Sequence, residues 1–159
     1  MKEILLAQFK ATFDNAVWFV PLTMAIDGLN AQQASLTINQ DKNSIEQILH
    51  HLIYGNDLYL QPYKDKDFRF IEIDNNSTFN NVNKLDWGKT IDKIRMVFSE
   101  WENRLIESEE TKLNSIVDNG SRTWHSVIGN LIIHNAYHIG QIVAIRKFHN
   151  CWDKEKGVN

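Results

Sequence analysis

The run from Trp124 to Phe148 is apolar almost all the way round a helix: Val127, Leu131, Ile132, Ile133, Ile139, Ile142, Val143 and Ile145 leave little polar face. Such a helix belongs at the buried centre of a bundle, where neighbours keep it from water. Inside it lie His134 and His138. Four residues apart, their side chains project from nearly the same face, about 6 Å apart along the axis. Extending the stripe both ways gives Val127, Leu131, His134, His138, Gln141 and Ile145, which predicts that both rings point inward. A buried polar ring needs a partner, since an unpaired buried polar group costs about 1–3 kcal/mol. On spacing alone two solutions stay open: a metal ion, for which imidazole is the commonest side-chain ligand, or hydrogen bonding within a core.

Three further long helices are expected. Leu5, Phe9, Phe13, Ala16 and Val20 follow the helical period from Glu3 to Val20. Pro21 then kinks the chain or opens a second short helix ending near Gly28-Leu29-Asn30. Ala31 to Asn43 reads as a polar connection. Ser44 followed by Gln47 makes a capping box, and Ile45, Ile48, Leu49, Leu52, Ile53, Tyr59 and Leu60 carry the next helix to about Pro62. Its adjacent histidines differ by about 100° around the axis. His50 shares a stripe with Glu46, Tyr54 and Asp57, a solvated or boundary face, whereas His51 shares one with Ile48, Tyr54, Gly55 and Leu58 and is the better candidate to point inward. From Lys64 to Leu85 the pattern is least regular, with an extended piece expected at Phe68–Ile73; so long a connection is either functional or mobile. Asp86 can cap the next helix, with core positions Trp87, Ile91, Ile94, Phe98, Trp101 and Leu105. Glu107, Glu109 and Glu110 read as a solvent-facing acidic cluster. The expected architecture is all-α: an antiparallel four-helix bundle in one domain over residues 1–159, with a long loop between the second and third helices.

Composition narrows the function classes. The chain has 159 residues, 43% of them hydrophobic, enough for one well-buried core. Seventeen basic and 20 acidic residues are scattered along it for a formal charge of -3, without the basic stripe that nucleic acid requires. No apolar run approaches the roughly 20 residues that span a bilayer, and no cleavable leader is evident. The single cysteine, Cys151, excludes an internal disulfide, and a reduced cytoplasmic setting fits.

A third histidine from a facing helix would complete a tridentate site with His134 and His138, and His51 can supply it. Three histidines and open positions resemble a catalytic rather than a closed structural site. His125 and His149 lie off the inward stripe and read as surface or capping residues. Asn135 stands where a zincin peptidase has its glutamate base, which disfavours that class.

His51 within ILHHLIYGNDLYL and the C-terminal run HNAYHIGQIVAIRK together resemble the DinB/YfiT-like superfamily of bundle metalloproteins, over nearly the whole chain. By that resemblance His51, His134 and His138 are metal ligands, the double histidine at 50 and 51 leaving the register of the first one open. The resemblance further implies a divalent ion (zinc or nickel first, manganese or iron otherwise), a small-molecule substrate, a homodimer, and activity as a metal-dependent hydrolase or low-molecular-weight-thiol S-transferase. Such an ion could lower the pKa of bound water or stabilise a thiolate. Tyr54, Asp57 and Gln141 are candidate neighbours of ligand or substrate, although ordinary interhelical hydrogen bonding is the commoner role for each. The alternative is a non-catalytic, stress-associated bundle whose histidines or metal are structural.

Overall fold

In the computed structural model, which describes residues 1–40, 42–65, 67–68, 73–117 and 120–157, side-chain caps start three of the four long helices where the sequence places them. Ser44 Oγ accepts from the Gln47 N–H at 3.2 Å while Gln47 Oε1 accepts from the Ser44 N–H at 2.8 Å. This reciprocal cap begins α4 (Ile45–Lys64), which continues two residues past Pro62. Asp86 Oδ1 takes the Lys89 N–H at 2.9 Å to begin α5 (Trp87–Glu107), and Thr123 caps α7 (Trp124–Phe148).

The first long helix, α1 (Lys2–Phe13), stops well short of Val20. Asp14 and Asn15 both turn their N–H groups back onto the Lys10 carbonyl, at 3.0 and 2.9 Å. The two N–H groups share one carbonyl instead of continuing the ladder, so the helix ends before the proline acts. Pro21 opens the short α2 (Leu22–Ile26), as expected, and Gly28 turns the chain with φ 71. The polar connection is less irregular than its composition suggests. A second reciprocal cap, Asn30 with Gln33, makes a one-turn helix α3 (Ala31–Ala34). The long connection holds a 3-10 turn at Asn76–Phe79; of the extended piece expected at 68–73, residues 69–72 lie outside the described residues. A short α6 (Glu110–Asn114) and a single bridge between Ile116 and Thr123 lead into α7. Among the described residues there is no strand, and no helix is long and apolar enough to cross a membrane.

The all-α bundle forms with α1 against α5 and α7, and α4 against the same two. Paired residues give the directions. His51, Asn56 and Tyr63 of α4 meet His138, Asn135 and Trp124 of α7, so these two run antiparallel. Lys10 and Phe13 meet Glu102 and Phe98, so α1 and α5 do too. Asp57 and Lys64 of α4 meet Lys93 and Glu100 of α5, so that pair runs the same way, and the long connection carries the chain back to start again. Phe9, Leu49, Leu52, Phe98, Trp101, Ile128 and Ile139 are fully or almost fully buried between the four.

Polar links cross this apolar interior. Asn56 and Asn135, both fully buried, exchange amide hydrogen bonds of 2.9 and 3.2 Å between α4 and α7, and Trp101 Nε1 donates to the Asn56 carbonyl at 3.1 Å. Arg146, also buried, donates to the carbonyls of Ala25, Asp27 and Cys151. Glu107, Glu109 and Glu110 are exposed, as expected, and Glu110 also forms a link. It takes the Lys2 N–H at 2.8 Å and lies 3.2 Å from His125 Nε2, so one carboxylate serves the N-terminal ends of α1 and α7, where negative charge is favoured.

Candidate metal centre

The cap at Ser44 sets the register of α4 so that His51 faces α7, on which His134 and His138 sit one turn apart. The three rings form a nearly equilateral triangle, with centroids 4.9, 4.7 and 4.6 Å apart. One nitrogen from each lies within 4.8 Å of the others, and His51 Nε2 is 2.9 Å from His134 Nε2. His51 and His138 are buried, and His134 is half-buried.

Burial is the main reason all three stay neutral. It pushes His51 and His134 down to about 4, helped by the charge that His138 would carry, and it lowers His138 as well. At neutral pH each ring therefore offers a lone pair, the form a metal requires. Gly55 of α4 leaves room for the His134 ring: a Cβ there would sit 3.5 Å from His134 Cε1. His134 Nδ1 is buried with no hydrogen-bond partner among the described residues. Three converging neutral imidazoles suit a divalent ion bound with open positions, so the group fits.

The other residues singled out in the sequence fall into place around this triangle. Gln141 Oε1 is 2.7 Å from His138 Nδ1, and the Gln141 amide donates to Tyr137 OH at 3.2 Å. Tyr54 lines a cavity of about 390 Å³ that opens beside His51 and His134, with Leu58, Val127, Leu131 and Arg122 also in its wall. Asp57 is drawn away from the centre, ion-paired to Lys93 at 2.8 Å. Asn135, engaged with Asn56, is not presented to a substrate. His125 meets Glu110, and His149, the C-cap residue of α7, donates from Nε2 to the Thr37 carbonyl at 2.8 Å.

His50 departs from expectation. Its stripe reads as a solvated or boundary face, yet it is buried, because Ile73, Ser77, Asn80, Val82 and Leu85 of the long connection cover that face and line a cavity of about 180 Å³. His50 Nε2 is 3.8 Å from Glu46 and does not join the triangle. Two neighbours of the site carry no local sequence signal. Thr78 Oγ1 lies 2.5 Å from His51 Nδ1, and Phe79 stacks on the His51 ring with centroids 4.1 Å apart.

No curated protein and no solved structure matches the chain. The family model of the DinB superfamily matches residues 21–142, a stretch that contains all three histidines of the triangle and most of the bundle, and the chain belongs to that superfamily.

Proposed function

We propose that this chain is a divalent-metal-dependent enzyme, a hydrolase or low-molecular-weight-thiol S-transferase, with His51, His134 and His138 holding the ion. The observation that carries the reading is the convergence of three neutral imidazoles beside a cavity of about 390 Å³, room for a small molecule. When bound, a divalent ion supplies Lewis-acid activation of a water or thiol; zinc and nickel are the first choices, and manganese and iron also accept imidazole. The chain's own residues do the remainder. Neutral ligands leave positive charge uncompensated, which suits an anionic nucleophile. Leu58, Val127 and Leu131 give the cavity an apolar wall. Arg122 is the one formally charged side chain among its described lining residues.

Metal content of untagged protein tests the reading. Wild type and His50→Ala are expected to carry near-stoichiometric divalent metal, whereas His51→Ala and His138→Ala lose it and keep their helical circular dichroism. Full occupancy in His138→Ala overturns the site. Activity is then sought with esters and with electrophiles in the presence of small thiols.

One observation favours the non-catalytic reading: His51 is hydrogen-bonded to Thr78 and His134, and His138 to Gln141, which is how a structural core satisfies buried imidazoles. On that reading chelation lowers the melting temperature, and neither esters nor electrophiles turn over.

A homodimer is part of the same proposal. Ile133, Tyr137, Gly140, Ala144 and Phe148 form one exposed, largely apolar stripe on α7, and Trp18 is 96% exposed. Phe19, Ala136, Gly140 and Ala144 line a shallow groove of about 290 Å³. A projecting indole and an apolar groove on one chain are self-complementary, as a two-fold interface requires.

A further inference from the structure

We propose that Thr78 is a positioning residue for the metal centre, its hydroxyl committing Nε2 of His51 to the middle of the triangle. The inference rests on the metal reading above, and it assigns a role to the connection between α4 and α5.

A hydroxyl carries a single proton. Thr78 Oγ1 lies 2.5 Å from the Asn75 carbonyl oxygen and 2.5 Å from His51 Nδ1. The carbonyl can only accept, so the Thr78 proton points to Asn75 and the hydroxyl presents a lone pair to the ring. His51 Nδ1 therefore carries the hydrogen and donates it to Thr78. The lone pair is left on Nε2, the atom that faces His134 Nε2 at 2.9 Å. Phe79, the next residue along, lies parallel to the His51 ring within 2° and holds its plane. Both residues sit on the 3-10 turn Asn76–Phe79, and Thr78 is buried.

Neither of the other rings is set in this way. His138 Nδ1 meets a Gln141 amide that touches only a phenol beyond it. An amide can turn over, and a phenol can donate or accept, so that chain orients the ring without dictating which nitrogen bears the proton. His134 Nδ1 has no hydrogen-bond partner among the described residues. In the hydrogen bond between His51 and His134, Nε2 of His51 accepts, so His134 donates from its own Nε2. His134 is thus the ring that must move its proton to Nδ1 on taking an ion, while His51 is already set.

Co²⁺ is the probe, read by its ligand-field absorption and by competition with a chromophoric chelator. Thr78→Val keeps the branched shape and removes the acceptor, and is expected to weaken Co²⁺ binding about 10–100-fold, the usual effect of losing a residue that orients a ligand. Thr78→Ser restores the acceptor and is expected to bind like wild type. Nitrogen-15 shifts of His51 in metal-free wild type report the tautomer with no substitution at all; Nδ1–H is expected. Equal affinity in wild type and Thr78→Val overturns the proposal, as does an Nε2–H tautomer of His51 in wild type. Equal Co²⁺ uptake by wild type and His134→Ala is a different failure, which overturns the metal reading and the proposal built on it.

Discussion

At the scale of the residue, the site is defined by how burial treats imidazole. A free histidine titrates near 6.5, whereas His51 and His134 are held down to about 4 by burial. Between those values the folded chain binds fewer protons than the unfolded one, so acid favours unfolding there. This contribution to stability is complete above about pH 6.5 and lost as pH falls to about 4. The melting temperature of metal-free protein should therefore fall between pH 7 and pH 4.5, and fall less in a His51→Gln, His134→Gln double variant. The lowered carboxylates, Asp27, Asp74, Asp86, Glu100 and Glu110, act at more acid pH, because their ordinary values are 3.8 or 4.5. Gly55 gives a second prediction. A Cβ there meets His134 at ordinary contact distance, so Gly55→Ala should stabilise the helix by about 0.5–1 kcal/mol and leave metal affinity unchanged. Gly55→Leu should displace the His134 ring and weaken Co²⁺ binding; an undisturbed affinity there would mean the glycine provides no needed space.

At the scale of the element, α4 and α7 are joined by polar links on one side and aromatic packing on the other. The reciprocal amides of Asn56 and Asn135 sit one residue beyond His134 and five beyond His51, so they fix the relative height of the two helices that carry the histidines. Asn135→Ala leaves the buried Asn56 Oδ1 without its donor, while Asn56 Nδ2 still donates to the Leu52 carbonyl at 2.8 Å, at a cost of about 2 kcal/mol. For a chain of this size that is a loss of about 4–8 °C in melting temperature. A calorimetric shift under a degree would show that the pair is exchangeable for apolar contact. At the far end of α7, Arg146 holds the turn after α2 and the turn after α7 together through backbone carbonyls, which ties α2 to the bundle.

At the scale of the whole molecule, the same helix serves two faces. The inner face of α7 presents His134 and His138 to α4, and its outer stripe from Ile133 to Phe148 is apolar and exposed. This reconciles a helix apolar all round with a four-helix bundle, which buries only part of each helix. If the outer stripe is covered by a second copy, Trp18→Lys combined with Ala144→Glu should convert a dimer to a monomer in sedimentation velocity while leaving metal content intact. A wild type that sediments as a monomer at micromolar concentration ends that proposal.

Much of this was written in local sequence, because helices close their hydrogen bonds within four residues and their caps within three. The Ser44–Gln47 capping box of α4, the Asp86 cap of α5 and the 3.6-residue period therefore place α4, α5 and α7 from the chain alone, and the His134/His138 spacing puts two rings on one inward face. The Asn30–Gln33 cap of α3 was equally local and could have been read. The gathering of His51 with that pair needed the resemblance as well as the stripe, since His50 and His51 differ by one step. What local rules could not reach were contacts between distant segments. Thr78 meets His51 across 27 positions, and Asn56 meets Asn135 across 79. The burial of His50, the parallel run of α4 and α5, and the presence of Thr78 and Phe79 at the site all follow from where the long connection lies. Its irregular sequence carries no period to say which face it will cover, so only packing in three dimensions decides it.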